Sequence, residues 1–499
     1  MSTASSYTPV LIDRALLRAT GAPRSDGNAV RLLRDACENY PAWLAAIEGA
    51  RRTIFFESYI VADDVVGRRF VGALATRARA GVAVRVVHDW LGCLGSHDIW
   101  DELEEAGAEV RAFNPFSFGS PFGWVSRDHR KTIAIDGAVA FVSGLCVSSR
   151  WEGDAAKRLE PWRDTGVEIR GPAVAEIERA FAQVWDVCGT PLAEELLTPP
   201  DAIDAAGDTA LRVVVGVPSA GNLFRLDTSI ASLARQYLWL TDAYFVGGST
   251  YTQALRAAAR DGVDVRLLVP GASDILALRP LSRVGYRPLL EAGVRVFEWN
   301  GTMLHAKTAV ADGEWARVGS TNLNLASFIG NWELDVAIED AGFAATMADM
   351  YEDDLRHATE IVLTKRNRVR TADGGPASDG SRRALSGSAG RAAAGALSVG
   401  SAVGAALTNR RLLGPAEAGL LWLLAAITAG GAVLGLVFPD LIAYPLAVLL
   451  GWIAVTIVVK AWGLSRRARD LRRSADGEDA AHAGPPADAK TDRSAIIKN

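Results

Sequence analysis

Along this 499-residue chain, helical and strand spacings of apolar side chains succeed one another, and the succession occurs twice. Residues 73–79 carry apolar positions at helical spacing, Gly81 ends the helix, and residues 82–87 follow as an apolar strand. The same order returns at residues 254–260, Gly262 and residues 263–268. A helix closed by glycine and followed by an apolar strand is the unit of an α/β fold. Upstream of each unit lies an apolar strand ending in an acid near a tyrosine: Glu57 with Tyr59, and Asp242 with Tyr244. Downstream, residues 107–113 match residues 293–297. The pattern predicts two α/β halves, residues 1–205 and 206–364, related by a pseudo-twofold axis as subunits are in a dimer.

Each half also contains a predicted β-hairpin. Residues 131–135 are β-prone, Asp136-Gly137 is a two-residue turn signal, and residues 138–142 return. In the second half residues 307–311, Asp312-Gly313 and residues 315–318 repeat this. The polar residues at the start of each hairpin are the same: His129-x-Lys131 and His305-x-Lys307, each with an aspartate (Asp136, Asp312) at one fixed spacing. Residues two apart on a strand share a face, so each imidazole is expected beside its ammonium. Two imidazoles and two ammoniums suit cleavage of a phosphodiester through a covalent phosphohistidine. Both a turn-forming role and a direct chemical role are open for the two aspartates. After the return strand come Gly319-Ser320-Thr321-Asn322 and, in the same register, Ser143-Gly144-Leu145-Cys146. Small residues there let backbone N–H groups and Ser320 approach a phosphate.

With these twin motifs, and with Phe56-Glu57-Ser58-Tyr59, Ala243-Tyr244-Phe245 and Asn331-Trp332-Glu333, residues 25 to 360 resemble the phospholipase D superfamily, most of all bacterial cardiolipin synthases. The resemblance implies two α/β/α halves forming one active site with no metal and no cofactor. It implies that His129 is the nucleophile and His305 the general acid/base, although the near-symmetry of the motifs leaves the reverse open. Lys131, Lys307, Ser320 and Asn322 would stabilise charge on phosphate oxygens, with Glu57 in support. By the family pattern Glu333 would orient His305, and Asp164 would orient His129. Cys146 stands where the family usually has asparagine. The implied activity is transfer of a phosphatidyl group from phosphatidylglycerol to a second phosphatidylglycerol, making cardiolipin. The rivals are a hydrolase using the same residues, a nuclease of the superfamily, and a non-catalytic scaffold.

The rest of the chain changes this picture in one respect, the membrane. Residues 418–438 and 441–459 are apolar runs separated by Pro439-Asp440, each about as long as the ~20 helical residues that span a hydrocarbon core. They predict a transmembrane helical hairpin within residues 411–464, against the alternative of a buried soluble hairpin. Arg410 and Arg411 precede it, and Lys460, Arg466, Arg467, Arg469, Arg472 and Arg473 follow. Both ends, and the catalytic halves, are therefore expected on the cytoplasmic side of a bacterial inner membrane. Residues 365–410 read as a flexible basic linker and residues 465–499 as a disordered tail. The N-terminus lacks a signal-peptide pattern. A net charge of -5 disfavours nucleic acid as a partner and leaves phospholipids and the membrane. The four cysteines, Cys37, Cys93, Cys146 and Cys188, have neither zinc-site nor disulfide-framework spacing.

Overall fold

A computed structural model describes residues 7–116, 126–246, 249–274, 278–363 and 369–371, with isolated helical positions between 429 and 458. The chain forms two compact units, residues 1–116 with 122–419 and residues 117–121 with 420–499. The sheet lies in the first.

The first half contributes β1 (Ser25–Arg34), β2 (Thr53–Ser58), β3 (Ala83–Asp89), β4 (Glu109–Phe113), β5 (Lys131–Ile135), β6 (Val139–Ser143) and β7 (Thr165–Arg170). The second contributes β8 (Thr209–Gly216), β9 (Tyr237–Thr241), β10 (Asp264–Pro270), β11 (Arg295–Trp299), β12 (Thr308–Ala311), β13 (Trp315–Gly319) and β14 (Glu333–Glu339). Two edge strands, β15 (Ala358–Leu363) and β16 (Val369–Thr371), follow. Outward from the centre, the first half runs β1-β7-β6-β5-β2-β3-β4 and the second β8-β14-β13-β12-β9-β10-β11. The two orders correspond strand for strand. They meet where β1 pairs antiparallel with β8, at Ser25↔Leu211 and Asn28↔Thr209. β16 occupies residues that the sequence reading assigned to the flexible linker; its three residues pair with β15.

β2, β5 and β6 are buried at every position, as strands covered on both faces are. One apolar core is confined largely to the first half and another to the second. A third draws on both, and includes the helices Ala173–Val187 and Ala341–Leu355. Both Asp-Gly turns have the two positive φ angles that a tight hairpin requires: 56° and 67° at Asp136-Gly137, 53° and 72° at Asp312-Gly313.

Two short parallel bridges cross between the halves and decide the geometry of the site. Asp128 pairs with Trp332, and Arg163 pairs with Leu304. The His129 amide donates to the Trp332 carbonyl at 2.9 Å, and the His305 amide donates to the Arg163 carbonyl at 2.7 Å. Each histidine is thus stitched to the opposite half, one residue from an acid.

No helix of the described residues is long and apolar enough to cross a membrane. The expected hairpin at 411–464 and tail at 465–499 lie outside the described residues, apart from the isolated helical positions.

Candidate active site

His129 and His305 immediately precede the first arms of the two hairpins; the strands proper begin at Lys131 and Thr308. All four motif side chains are buried: His129 and His305 are 9% and 4% exposed, Lys131 and Lys307 are 4% and 1%. Each ammonium donates to the carbonyl of its own histidine, Lys131 to His129 and Lys307 to His305. Lys307 Nζ also lies 2.9 and 3.1 Å from the two ring nitrogens of His305. Tyr59 and Tyr244 hold equivalent places, their rings edge-on to His129 and His305 at 5.0 and 5.8 Å.

The acid partners are crossed relative to the sequence expectation. Glu333, expected to orient His305, accepts from His129 Nδ1 at 2.9 Å. Asp164, expected to orient His129, accepts from His305 Nδ1 at 2.7 Å. The cross-half bridges are the reason, because they carry Trp332-Glu333 to His129 and Arg163-Asp164 to His305. An imidazole whose Nδ1–H is held by a carboxylate carries its lone pair on Nε2. Each carboxylate is itself supported. Glu333 accepts from Ser320 Oγ at 2.5 Å, so this hydroxyl buttresses the acid rather than standing free for phosphate. Asp164 accepts from Trp151 Nε1 at 2.8 Å and from the Thr165 amide at 2.8 Å. Gly144 occupies the position equivalent to Ser320, and a Cβ there would meet Asp164 Oδ1 at 2.2 Å.

Electrostatics join the two half-sites. Burial lowers both imidazoles from their ordinary range, His305 to about 4, and each also feels both lysines. Burial, with the charge of Lys131 adding to it, brings Lys307 down to about 8. Burial pushes Asp164 and Glu333 up, but their imidazoles and the nearby lysines outweigh it and hold both below the usual carboxylate range. Two His-Lys pairs from separate halves therefore share one electrostatic site.

Asp136 and Asp312, the aspartates of the repeated motif, are not with them. They lie beyond the far ends of β5 and β12. Asp136 accepts three backbone amides, from Arg51, Arg52 and Thr53, at 2.7, 2.7 and 2.8 Å. Asp312 does the same for Arg235, Gln236 and Tyr237 at 2.7, 2.8 and 2.9 Å. They hold the starts of β2 and β9, and the direct chemical role open to them in the sequence is replaced by this structural one.

Asn322 is buried, and its side-chain oxygen has no hydrogen-bond partner among the described residues. Cys146, its counterpart, is buried beside both lysines, and burial raises its thiol above the ordinary value. Glu57 is buried behind the site, accepting from Thr132 Oγ1 at 2.8 Å and 3.8 Å from Arg130. Sequence reasoning missed Asp128, Arg130 and Trp151. Asp128 and Arg130 flank His129, where the second half has Leu304 and Ala306. Arg130 donates to the carbonyls of Glu333, Ala180 and Gly216 at 3.1, 2.8 and 3.3 Å, fixing the strand that bears Glu333. That departure from the repeat was the available signal. Among the described residues no group of three or more His, Cys, Asp or Glu side chains could hold a metal ion.

Comparison with known proteins bears on the family and the fold. Residues 228–355 match the family model described as cardiolipin synthase, PLD-like domain. The chain is 34% identical over 360 residues to cardiolipin synthase A of Pseudomonas aeruginosa, covering 72% of this chain and 73% of that one. It is 31% identical over 344 residues to a cardiolipin synthase of Alkalihalophilus pseudofirmus, covering 68% of each. The phosphatidylserine synthase structure from Haemophilus influenzae shares the fold, with a TM-score of 0.55 at 14% identity, over 70% of this chain and 91% of that one. The chain belongs to the phospholipase D superfamily, among its cardiolipin synthase-like phosphatidyltransferases.

Proposed function

We propose that this enzyme makes cardiolipin from two phosphatidylglycerol molecules through a phosphohistidine. The observation that supports it most is the crossed pairing, His129 with Glu333 and His305 with Asp164, which gives two oriented imidazoles in one buried site. His129 Nε2 attacks phosphorus, and His305 gives a proton to the departing glycerol oxygen. The hydroxyl of a second phosphatidylglycerol then gives its proton to His305 and attacks phosphorus. The N–P bond breaks, cardiolipin leaves, and His129 is again neutral. Lys131, Lys307 and the Asn322 amide stabilise the non-bridging oxygens; losing one such donor typically costs about 10²–10³ in rate.

A general acid must hold a proton near neutral pH, whereas the protein alone holds His305 at about 4. Raising it to near neutrality needs roughly 4 kcal/mol. A phosphate anion about 4 Å away, at the effective dielectric of a protein site, supplies roughly that amount. The acid is thus armed by its substrate.

The apolar runs at 418–438 and 441–459 serve as a membrane hairpin that keeps the catalytic halves at the cytoplasmic face, where the lipid substrates are concentrated. Incubating the pure enzyme with labelled phosphatidylglycerol in vesicles tests the reading. Cardiolipin and glycerol in equal amounts are expected; phosphatidic acid as the main product would assign the protein to the hydrolases. Quenching the wild-type enzyme in alkaline denaturant during turnover should trap phosphatidyl label on His129, and His129→Ala should carry none.

A further inference from the structure

The two imidazoles have equivalent acids but unlike surroundings. At His129, the acid's other donors are polar side chains: Ser320 Oγ at 2.5 Å and Asn331 Nδ2 at 3.5 Å from Glu333. Among the described residues the ring against His129 is Tyr59. At His305 the corresponding places are aromatic. Trp162 aligns with Asn331 through the equivalence of Asp164 and Glu333, and its ring lies 5.7 Å from that of His305. Trp151 stands edge-on to the imidazole at 5.2 Å and Tyr244 at 5.8 Å. The two indoles pack together at 4.7 Å, and both are buried. By the same register the second half has Ser327 where the first has Trp151, and the neighbouring Phe328 packs on Phe224 and Tyr251 at 5.4 and 5.9 Å.

We propose that the indole wall of Trp151 and Trp162 selects the acceptor, denying water the space beside His305 and leaving it to a lipid-borne hydroxyl. This rests on the phosphatidyl transfer proposed above. A water attacking the phosphohistidine must give one proton to His305 and satisfy its other hydrogen bonds nearby. Indole faces offer none, and an unsatisfied polar group in a buried site is costly. A glycerol hydroxyl needs fewer partners, and its carbon skeleton packs on the rings. With the alcohol, an O–P bond forms as N–P breaks and the hydroxyl proton passes to His305. With water the same exchange yields phosphatidic acid. Trp151 has a second duty as donor to Asp164, so Trp162 is the cleaner specificity determinant.

The experiment measures the ratio of phosphatidic acid to cardiolipin from labelled phosphatidylglycerol vesicles. In Trp162→Ala the ratio should rise about tenfold over wild type, the discrimination typical of one altered pocket contact. Trp162→Phe should stay within about threefold of wild type. An unchanged ratio in Trp162→Ala, at any total activity, overturns the inference. In case that variant fails to fold, wild type is given a phosphatidyl donor with a p-nitrophenol head group and no alcohol. A stoichiometric nitrophenol burst followed by a stall is expected, because the phosphohistidine waits for an acceptor. Steady turnover by water in wild type overturns the inference. Wild type that makes no cardiolipin from phosphatidylglycerol fails the functional reading itself, a result separate from either.

Discussion

At the scale of single residues, the crossed acids make the sharpest prediction. Asp164→Asn leaves the shape of the site but offers His305 the wrong hydrogen-bond partner, and Glu333→Gln does the same to His129. In a comparable acid–histidine pair such a change costs about 10⁴ in turnover. Losses of about 10²–10⁴ are expected here with folding intact. Imidazole nitrogen NMR identifies the partners: Asp164→Asn should move the His305 signals and Glu333→Gln those of His129. The opposite assignment would restore the uncrossed pairing. The imidazoles also predict a dependence of stability on pH. His305 titrates at about 4 in the fold and near 6.5 when unfolded, so between these values the unfolded chain binds more protons. Stability therefore rises with pH through this window and is lost as pH falls below about 6.5. The depressed Asp164 and Glu333 add loss in the same direction at lower pH. Replacing His305 with Gln should flatten the decline of unfolding free energy between about pH 6.5 and 4, by roughly 3 kcal/mol in total. An unaltered slope would contradict the buried, neutral imidazole.

At the scale of the element, each hairpin turn is a connector. Asp136 closes its own Asp-Gly turn and gathers three amides at the start of β2. Asp136→Ala leaves those amides without their acceptor and puts an alanine at a φ of 56°. Unfolding should become easier by about 2–4 kcal/mol, while turnover of the folded enzyme stays within about threefold of wild type. Asp136→Asn, which tolerates that φ and keeps one acceptor oxygen, should cost about half as much. Denaturant melts alongside kcat separate the two effects. A loss of kcat of about 10² or more without loss of stability would return Asp136 to the catalytic set.

At the scale of the whole molecule, the site exists only when the halves are docked. Arg163 in the first half grips Asp354 in the second through Nε and a terminal nitrogen, at 3.0 and 2.8 Å, and both side chains are almost fully buried. Removing the guanidinium takes from the buried Asp354 one of its two arginine partners, Arg34 staying at 2.8 Å, a loss of about 3 kcal/mol, the low end for breaking a buried pair. Arg163→Ala should lower stability by that amount. It should also abolish turnover in the fraction that stays folded, because Asp164 is the next residue and rides on the same bridge to Leu304. Near-wild-type turnover would show that docking does not depend on this pair. Deleting residues 411–464 should shift the enzyme from the membrane to the soluble fraction on centrifugation. It should spare turnover of a dissolved short-chain substrate; retention in the membrane would remove the hairpin as anchor.

Much of this was legible in the residues themselves. The repeated helix–glycine–strand units, the paired Asp-Gly turns and the two His-x-Lys motifs are local patterns, set by backbone sterics and apolar spacing within a few residues. They determined the α/β halves, the strand that follows each histidine, and which four side chains converge. Which acid faces which imidazole could not be read locally, because the contacts join residues 204 and 141 positions apart. The family pattern suggested uncrossed pairs, and only the backbone bridges between halves carried Glu333 to His129 and Asp164 to His305. The same holds for Asp136 and Asp312, whose conspicuous place in the motif reflects amides recruited from another strand. Sequence determined the chemistry available. Tertiary structure decided the partners, because pairing across two halves depends on how their surfaces dock and not on spacing along the chain.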